Sequence, residues 1–257
     1  MTERQPGYTR LVFGFAAGSG SDRLLAEAAE IASWLGLELL AMTVEDEAVA
    51  TLGAHPGAAW LSRSGAPQPP GISEAMARET RTATSALRRR LEHEAARVKL
   101  TWSFQTLRGS AETVIAQTVR QSDIVVYCEP PSPLERDAFP ERNLWRAVER
   151  SPGAALYRPG RPLPNRSGVV AVTASGASRA PVEAVAQQLA RATHEPLHHL
   201  AGIADWRALP QQWDHNPPRL IVLARGTMGL LDSDAIAQAA RHLRVPLLVL
   251  EEAPQAV

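Results

Sequence analysis

Cysteine is almost missing from this 257-residue chain: Cys128 stands alone. That excludes an intramolecular disulfide and any multi-cysteine zinc or iron–sulfur site, and it fits a reducing compartment. Lysine is equally scarce, with Lys99 the only one. A P-loop lysine is therefore ruled out, and Schiff-base chemistry has few candidates, because arginine takes over neither role easily. Neither sign of charge is in surplus, with 27 basic and 27 acidic residues. The chain thus has no global field to hold nucleic acid or an anionic membrane, and any partner must be recognised locally. No apolar run reaches about eighteen residues, and MTERQPGYTR has no stretch of signal length. A cytoplasmic protein is expected. There is also no Gly-x-Ser-x-Gly elbow and no histidine placed to serve a serine, so a hydrolase is a remote reading.

What is present is an alternation of short buried strands and amphipathic helices. Residues 10–16 form an apolar run that ends in AAGSGSD. Leu24, Ala28, Ile31, Ala32 and Leu35 then recur at helical spacing, with Ser21 or Asp22 as cap and Gly36 as stop. LELLAMTV (37–44) reads as a second buried strand, giving a right-handed parallel crossover. Prolines and glycines make 45–71 a long loop. A long helix comes next, with Met76, Ala83, Leu87, Leu91, Ala95 and Val98 on one face and Arg88, Arg89, Arg90 and Glu92 solvated on the other. Strands are expected at 100–109, 122–129 and in GAALYRPG. A helix capped by Ser110 comes after the first of these, and a short helix in NLWRAVERSP precedes the last.

The pattern then restarts. Leu11 and Val169 are 158 residues apart, and that same offset sets Gly18 on Gly176, Leu24 on Val182, Ile31 on Leu189 and Leu39 on Leu197. RLIVLARG (219–226) answers SDIVVYCE, and DAIAQAARHLRVPLLVLE answers NLWRAVERSPGAALYRP. Two α/β units are expected, at 1–160 and 167–257, joined by a linker at 161–166. The second is shorter, lacking the long helix and the third strand.

The order of these elements, the stretch GSAETVIAQTVRQSDIVVY and the closing SPGAALYRPG resemble the universal stress protein family. The resemblance implies two repeats of a doubly wound, mostly parallel five-stranded sheet of the adenine nucleotide alpha hydrolase-like kind, the second shortened. Ligands would lie at the carboxyl ends of the strands where strand order reverses. It further implies that the family's ATP binders carry an acid at the end of the first strand. After the fourth strand they carry Gly-x-x-Gly, a spacer of about nine residues and Gly-Ser/Thr, which brings backbone N–H groups and a hydroxyl to phosphate.

The first unit departs from that pattern, since the acid position falls on Ala16 or Ala17 and CEPPSPLERDAFPERN contains no glycine. Glu129 would repel phosphate, and Pro130, Pro131 and Pro133 remove donors. The second unit comes closer. In ARGTMGLLDSDAIAQ, Gly226, Thr227, Gly229 and Ser233 are candidate contacts to a nucleotide such as ATP or AMP, or to another anion. A turn leading into an N-cap is the competing reading, with Asp232 and Asp234 opposing a triphosphate and Ala174 or Ser175 at the acid position. Gly18-x-Gly20 is only a partial dinucleotide fingerprint, because its third glycine falls on Arg23.

His194, His198 and His199 cluster in sequence, but adjacent strand residues face opposite ways, so no metal site is expected. Cys128 beside Glu129 reads as an inert thiol, and the six tryptophans as packing. The resulting expectation is a non-catalytic universal-stress-protein-like chain with a degenerate nucleotide site and no cofactor. It would act in stress response through protein contacts and as a homodimer, without binding nucleic acid or membrane. The alternative is a sensor taking ATP, AMP or a small anion through the second unit. The resemblance also implies that PLLVLE pairs with GAALYRP inside one chain.

Overall fold

The computed structural model describes residues 7–16, 22–45, 51, 60–61, 67–68, 72–129, 152–164, 166–173, 179–213 and 216–251. The chain opens with β1 (Arg10–Ala16), α1 (Asp22–Leu35) and β2 (Glu38–Glu45). Two short strands, β3 (Trp60–Leu61) and β4 (Pro67–Gln68), pair antiparallel within the stretch read as a loop. A proline is tolerated there because so short a ladder need not use its missing N–H. Next come α2 (Ile72–Arg97), β5 (Trp102–Arg108), α3 (Ala111–Thr118), β6 (Asp123–Cys128) and β7 (Ala154–Arg158). The short helix expected in NLWRAVERSP lies outside the described residues.

The second part of the chain contributes β8 (Val169–Thr173), α4 (Arg179–Thr193), β9 (Leu197–Ala201), a 3-10 segment at Trp206–Gln212, β10 (Leu220–Ala224), α5 (Ser233–Leu243) and β11 (Leu247–Leu250). Between β9 and β10 its described residues hold the 3-10 segment where the first part has α2, β5 and α3.

Among the described residues nine strands form one sheet in the order β5-β2-β1-β6-β7-β11-β10-β8-β9. Every pairing is parallel except β7 with β11, where Leu247 faces Tyr157, Leu248 faces Leu156 and Val249 faces Ala155. This is the expected pairing of PLLVLE with GAALYRP, and it makes the two halves one continuous sheet. Because the joining strands run opposite ways, the carboxyl ends of one half's strands and those of the other lie at opposite edges.

The central strands are unbroken apolar runs because helices cover both faces, as parallel sheets require. Alternation assigns Leu11, Phe13 and Leu39 to the face packed by α1, α2 and α4. Val12, Leu40 and Met42 go to the face packed by α3, α5 and the 3-10 segment. The halves also meet through helices. α1 packs on α4, the Gln188 amide donates to the Leu35 carbonyl at 2.8 Å, and the Arg219 guanidinium lies 5.7 Å from the Trp34 ring centre.

Helix ends obey the sequence signals closely. Ser110 caps α3, its hydroxyl accepting from the Thr113 N–H. α1 closes with Gly36 at φ 64°, where the Leu37 N–H reaches the Ala32 carbonyl and the Gly36 N–H that of Ser33. That is the left-handed closure glycine favours. At the 158-residue offset α4 closes in the same way on His194, at φ 54°, with Glu195 bonded to Ala190. His194 is therefore a helix cap. The single lysine, Lys99, closes α2 in the same conformation at φ 52°.

Candidate functional site

In a doubly wound sheet the ligand crevice lies beyond the carboxyl ends of the strands where the order reverses. Here that means the ends of β1 and β6 in the amino-terminal half, and of β8 and β10 in the carboxy-terminal half.

In the amino-terminal half β1 ends on Ala16, one of the two positions at which an acid would be needed; Ala17 and the turn through Gly18 and Gly20 lie outside the described residues. β6 delivers Cys128 and then Glu129, whose side chain is buried. The Glu129 carboxylate does not stand alone. It accepts from the Arg241 guanidinium of α5, contributed by the other half, and from the Gly160 N–H at 3.4 Å. Arg158, at the end of β7, grips Glu27 of α1 with both Nε and Nη2. A cleft beside them, lined by Leu24, Glu27, Ile31, Cys128, Arg158 and Pro246, measures about 20 Å³, room for one water. Pro130, Pro131 and Pro133 fall outside the described residues.

The Asp that precedes the fourth strand, a feature of the resemblance, is Asp123, and its side chain is fully buried. It accepts from Arg10 at 3.0 and 2.6 Å and from the Arg120 N–H at 2.8 Å. The hydrogen bond to Asp123 raises the affinity of Arg10 for its proton. This constellation lies at the amino ends of the strands, away from the crevice, and it fixes the start of β6 against β1.

In the carboxy-terminal half the chain leaves β10 through Arg225 and turns tightly, with Gly226, Met228 and Gly229 all at positive φ (84°, 59° and 74°). The turn uses its own donors: Gly226 N–H bonds Leu230, Leu230 N–H bonds Thr227 and Leu231 N–H bonds Gly229. Asp232 then caps α5, its carboxylate accepting from the Ala235 N–H at 2.7 Å. A carboxylate thus occupies the end of the helix dipole where an anion would dock. Ser233 is fully buried, and its hydroxyl accepts from the Tyr157 phenol of β7 at 2.8 Å.

The four candidate contacts are therefore split. Gly226 and Gly229 are exposed, while Thr227 and Ser233 are buried and Ser233 is turned toward the other half. Beside them Arg225 pairs with Glu251; burial opposes its charge, but the hydrogen bond and the nearby carboxylate prevail and hold its proton more firmly. Ala174 and Ser175 lie outside the described residues.

A second cleft, of about 30 Å³, lies between the halves among Tyr8, Leu35, Gly36, Leu37, Val185 and Gln188. Burial, aided by the charge of Glu251, pushes the Tyr8 phenol up to about 12. Among the described residues no three His, Cys, Asp or Glu side chains are placed to hold a metal. His198 and His199 are exposed on opposite faces of β9, with His199 Nδ1 3.8 Å from Glu183. No helix among the described residues is long and apolar enough to cross a membrane. Sequence reasoning missed Tyr157, Arg241, Glu27 and Arg158 as partners of the groups near the crevice ends or as pairs beside them. Each acts on a residue far away in the chain, which no local motif announces.

No protein-family model and no curated protein sequence matches the chain. Solved structures do. A functionally unknown protein from Pseudomonas aeruginosa PAO1 aligns with a TM-score of 0.58 and 14% identity, over 96% of this chain and 94% of that one. A putative universal stress protein from Pseudomonas aeruginosa UCBPP-PA14 gives 0.57 and 14%, over 97% and 95%. A universal stress protein from Archaeoglobus fulgidus DSM 4304 gives 0.57 and 10%, over 95% and 97%. Nearly the whole chain, both halves included, has the fold of the universal stress proteins.

Proposed function

We propose that this chain is a non-catalytic member of the universal stress protein family whose nucleotide site has degenerated, and that it acts in stress response or regulation through protein contacts and dimerisation. The observation that carries this reading is the state of the α5 amino terminus: Asp232 supplies the anion there, and the Ser233 hydroxyl is committed to Tyr157. A triphosphate arriving at Gly226 and Gly229 would meet a carboxylate and a turn in which the Gly226, Leu230 and Leu231 N–H groups already serve carbonyls of the turn. Glu129, buried at the end of β6, supports the same reading for the other half.

Calorimetric titration of nucleotide-stripped protein with ATP and AMP tests it, and no binding heat is expected. Micromolar binding that Gly226→Asp with Gly229→Asp abolishes, in a variant whose circular dichroism is unchanged, would overturn it in favour of a nucleotide sensor.

A further inference from the structure

The geometry points to the outer edge of β9 as a pairing site for a second copy of this chain. In the amino-terminal half β2, beside the first strand, is covered on its outer side by β5. β9 holds the matching place beside β8, but among the described residues no strand covers it, and β9 is the last strand of the sheet.

The direction of its backbone groups is set by the ladder with β8. The Val169 N–H bonds the Pro196 carbonyl. In a parallel ladder such contacts alternate along the strand, so Pro196, His198 and Leu200 turn their backbone hydrogen-bonding groups toward β8. Leu197, His199 and Ala201 turn theirs outward.

Three features fit this edge to a copy of itself. His199 is the central residue of the five-residue strand and points its backbone outward, so a two-fold axis through it sets His199 against His199 and Leu197 against Ala201. About six hydrogen bonds then form with no register left over. The strand carries no Asp, Glu, Lys, Arg or Pro, the residue types that most often keep an edge single. The opposite edge, β5, differs: it ends in the exposed Arg108, paired with Glu45. Antiparallel pairing also continues the means by which this sheet already joins its halves at β7 and β11.

The proposal deepens the dimer reading by naming its surface. It does not depend on nucleotide binding, so the two can fail separately. Sedimentation of the full chain over about 10–200 μM should show the mass rising from 27.8 kDa toward twice that value. His199→Pro should weaken the dimer by about tenfold or more with unchanged circular dichroism, because the N–H it removes points away from β8. In a Cys128→Ser background, His198→Cys with Leu200→Cys should give a covalent dimer on mild oxidation. Those positions would face one another as a non-hydrogen-bonded pair, with Cα atoms about 4.5 Å apart, within disulfide reach. A monomer throughout the range, a dimer indifferent to His199→Pro, or no covalent dimer would overturn the proposal.

Discussion

β2 and β9 occupy the same place in the two halves, each beside the first strand of its half, yet β2 is buried through its centre while β9 leaves His198, His199 and Ala201 exposed. The difference lies in the segment that comes after each strand. After β2 the chain spends α2 and β5 on covering it; after β9 the described residues offer a 3-10 segment, which packs Trp206 and Leu209 under the sheet, and no described strand covers the outer edge. β9's own sequence reflects this, with LHHLA in place of the apolar ELLAMTVE. A half that shortens its chain keeps the central strands intact, because they are buried from both faces, and gives up its margin. The same contrast runs through the crevice ends. Glu129 in the amino-terminal half is held by an arginine borrowed from the other half, while the carboxy-terminal half caps α5 with its own Asp232.

The entries to the two last strands allow the strongest test of that contrast. Gly153 leads into β7 and Pro246 into β11. A Cβ at Gly153 would stand 2.4 Å from the Asp123 carbonyl oxygen and 2.8 Å from that of Arg120, backbone atoms that the buried Arg10–Asp123 pair keeps in place. Gly153→Ala should therefore cost about 3 kcal/mol or more in a urea titration, whereas Pro246→Ala should cost about 1 kcal/mol or less.

A smaller effect separates the two crevice ends. Arg241→Leu leaves a buried carboxylate at Glu129 without its arginine and should cost about 1–3 kcal/mol. Arg225→Leu leaves the part-exposed Glu251 able to hydrate, and should cost about 1 kcal/mol or less.

The helix closures should give the smallest effects, with opposite signs. Gly36→Ala puts a Cβ on a left-handed residue and should destabilise by about 1 kcal/mol, while His194→Gly relieves the matching strain and should stabilise by about 0.5–1 kcal/mol. A shift of the same sign for both variants would mean that the two caps are not equivalent.

Much of this was legible in the sequence wherever the determinant is local. The apolar runs at LVFGFA and LIVLA, the Ser110 and Asp232 caps and the stop at Gly36 each depend on a few neighbouring residues, and each stands where its pattern placed it. The short strands at Trp60 and Pro67 were not legible, since two-residue ladders leave no periodicity.

The candidate site was legible only as a location. Gly226 and Gly229 mark the turn, but the chemistry of Ser233 depends on Tyr157, which lies 76 residues earlier. Only the β7–β11 register brings that phenol under α5. Likewise, Glu129 taken alone is a charge that repels phosphate, while in the fold it belongs to a pair that spans both halves.

Native mass spectrometry of the freshly purified full chain tests the central claim, that both crevice ends are occupied by the protein's own side chains, most directly. The prediction is a mass of 27.8 kDa per chain with nothing added. A stoichiometric adenine nucleotide carried through purification, and lost on Gly226→Asp with Gly229→Asp, would contradict it.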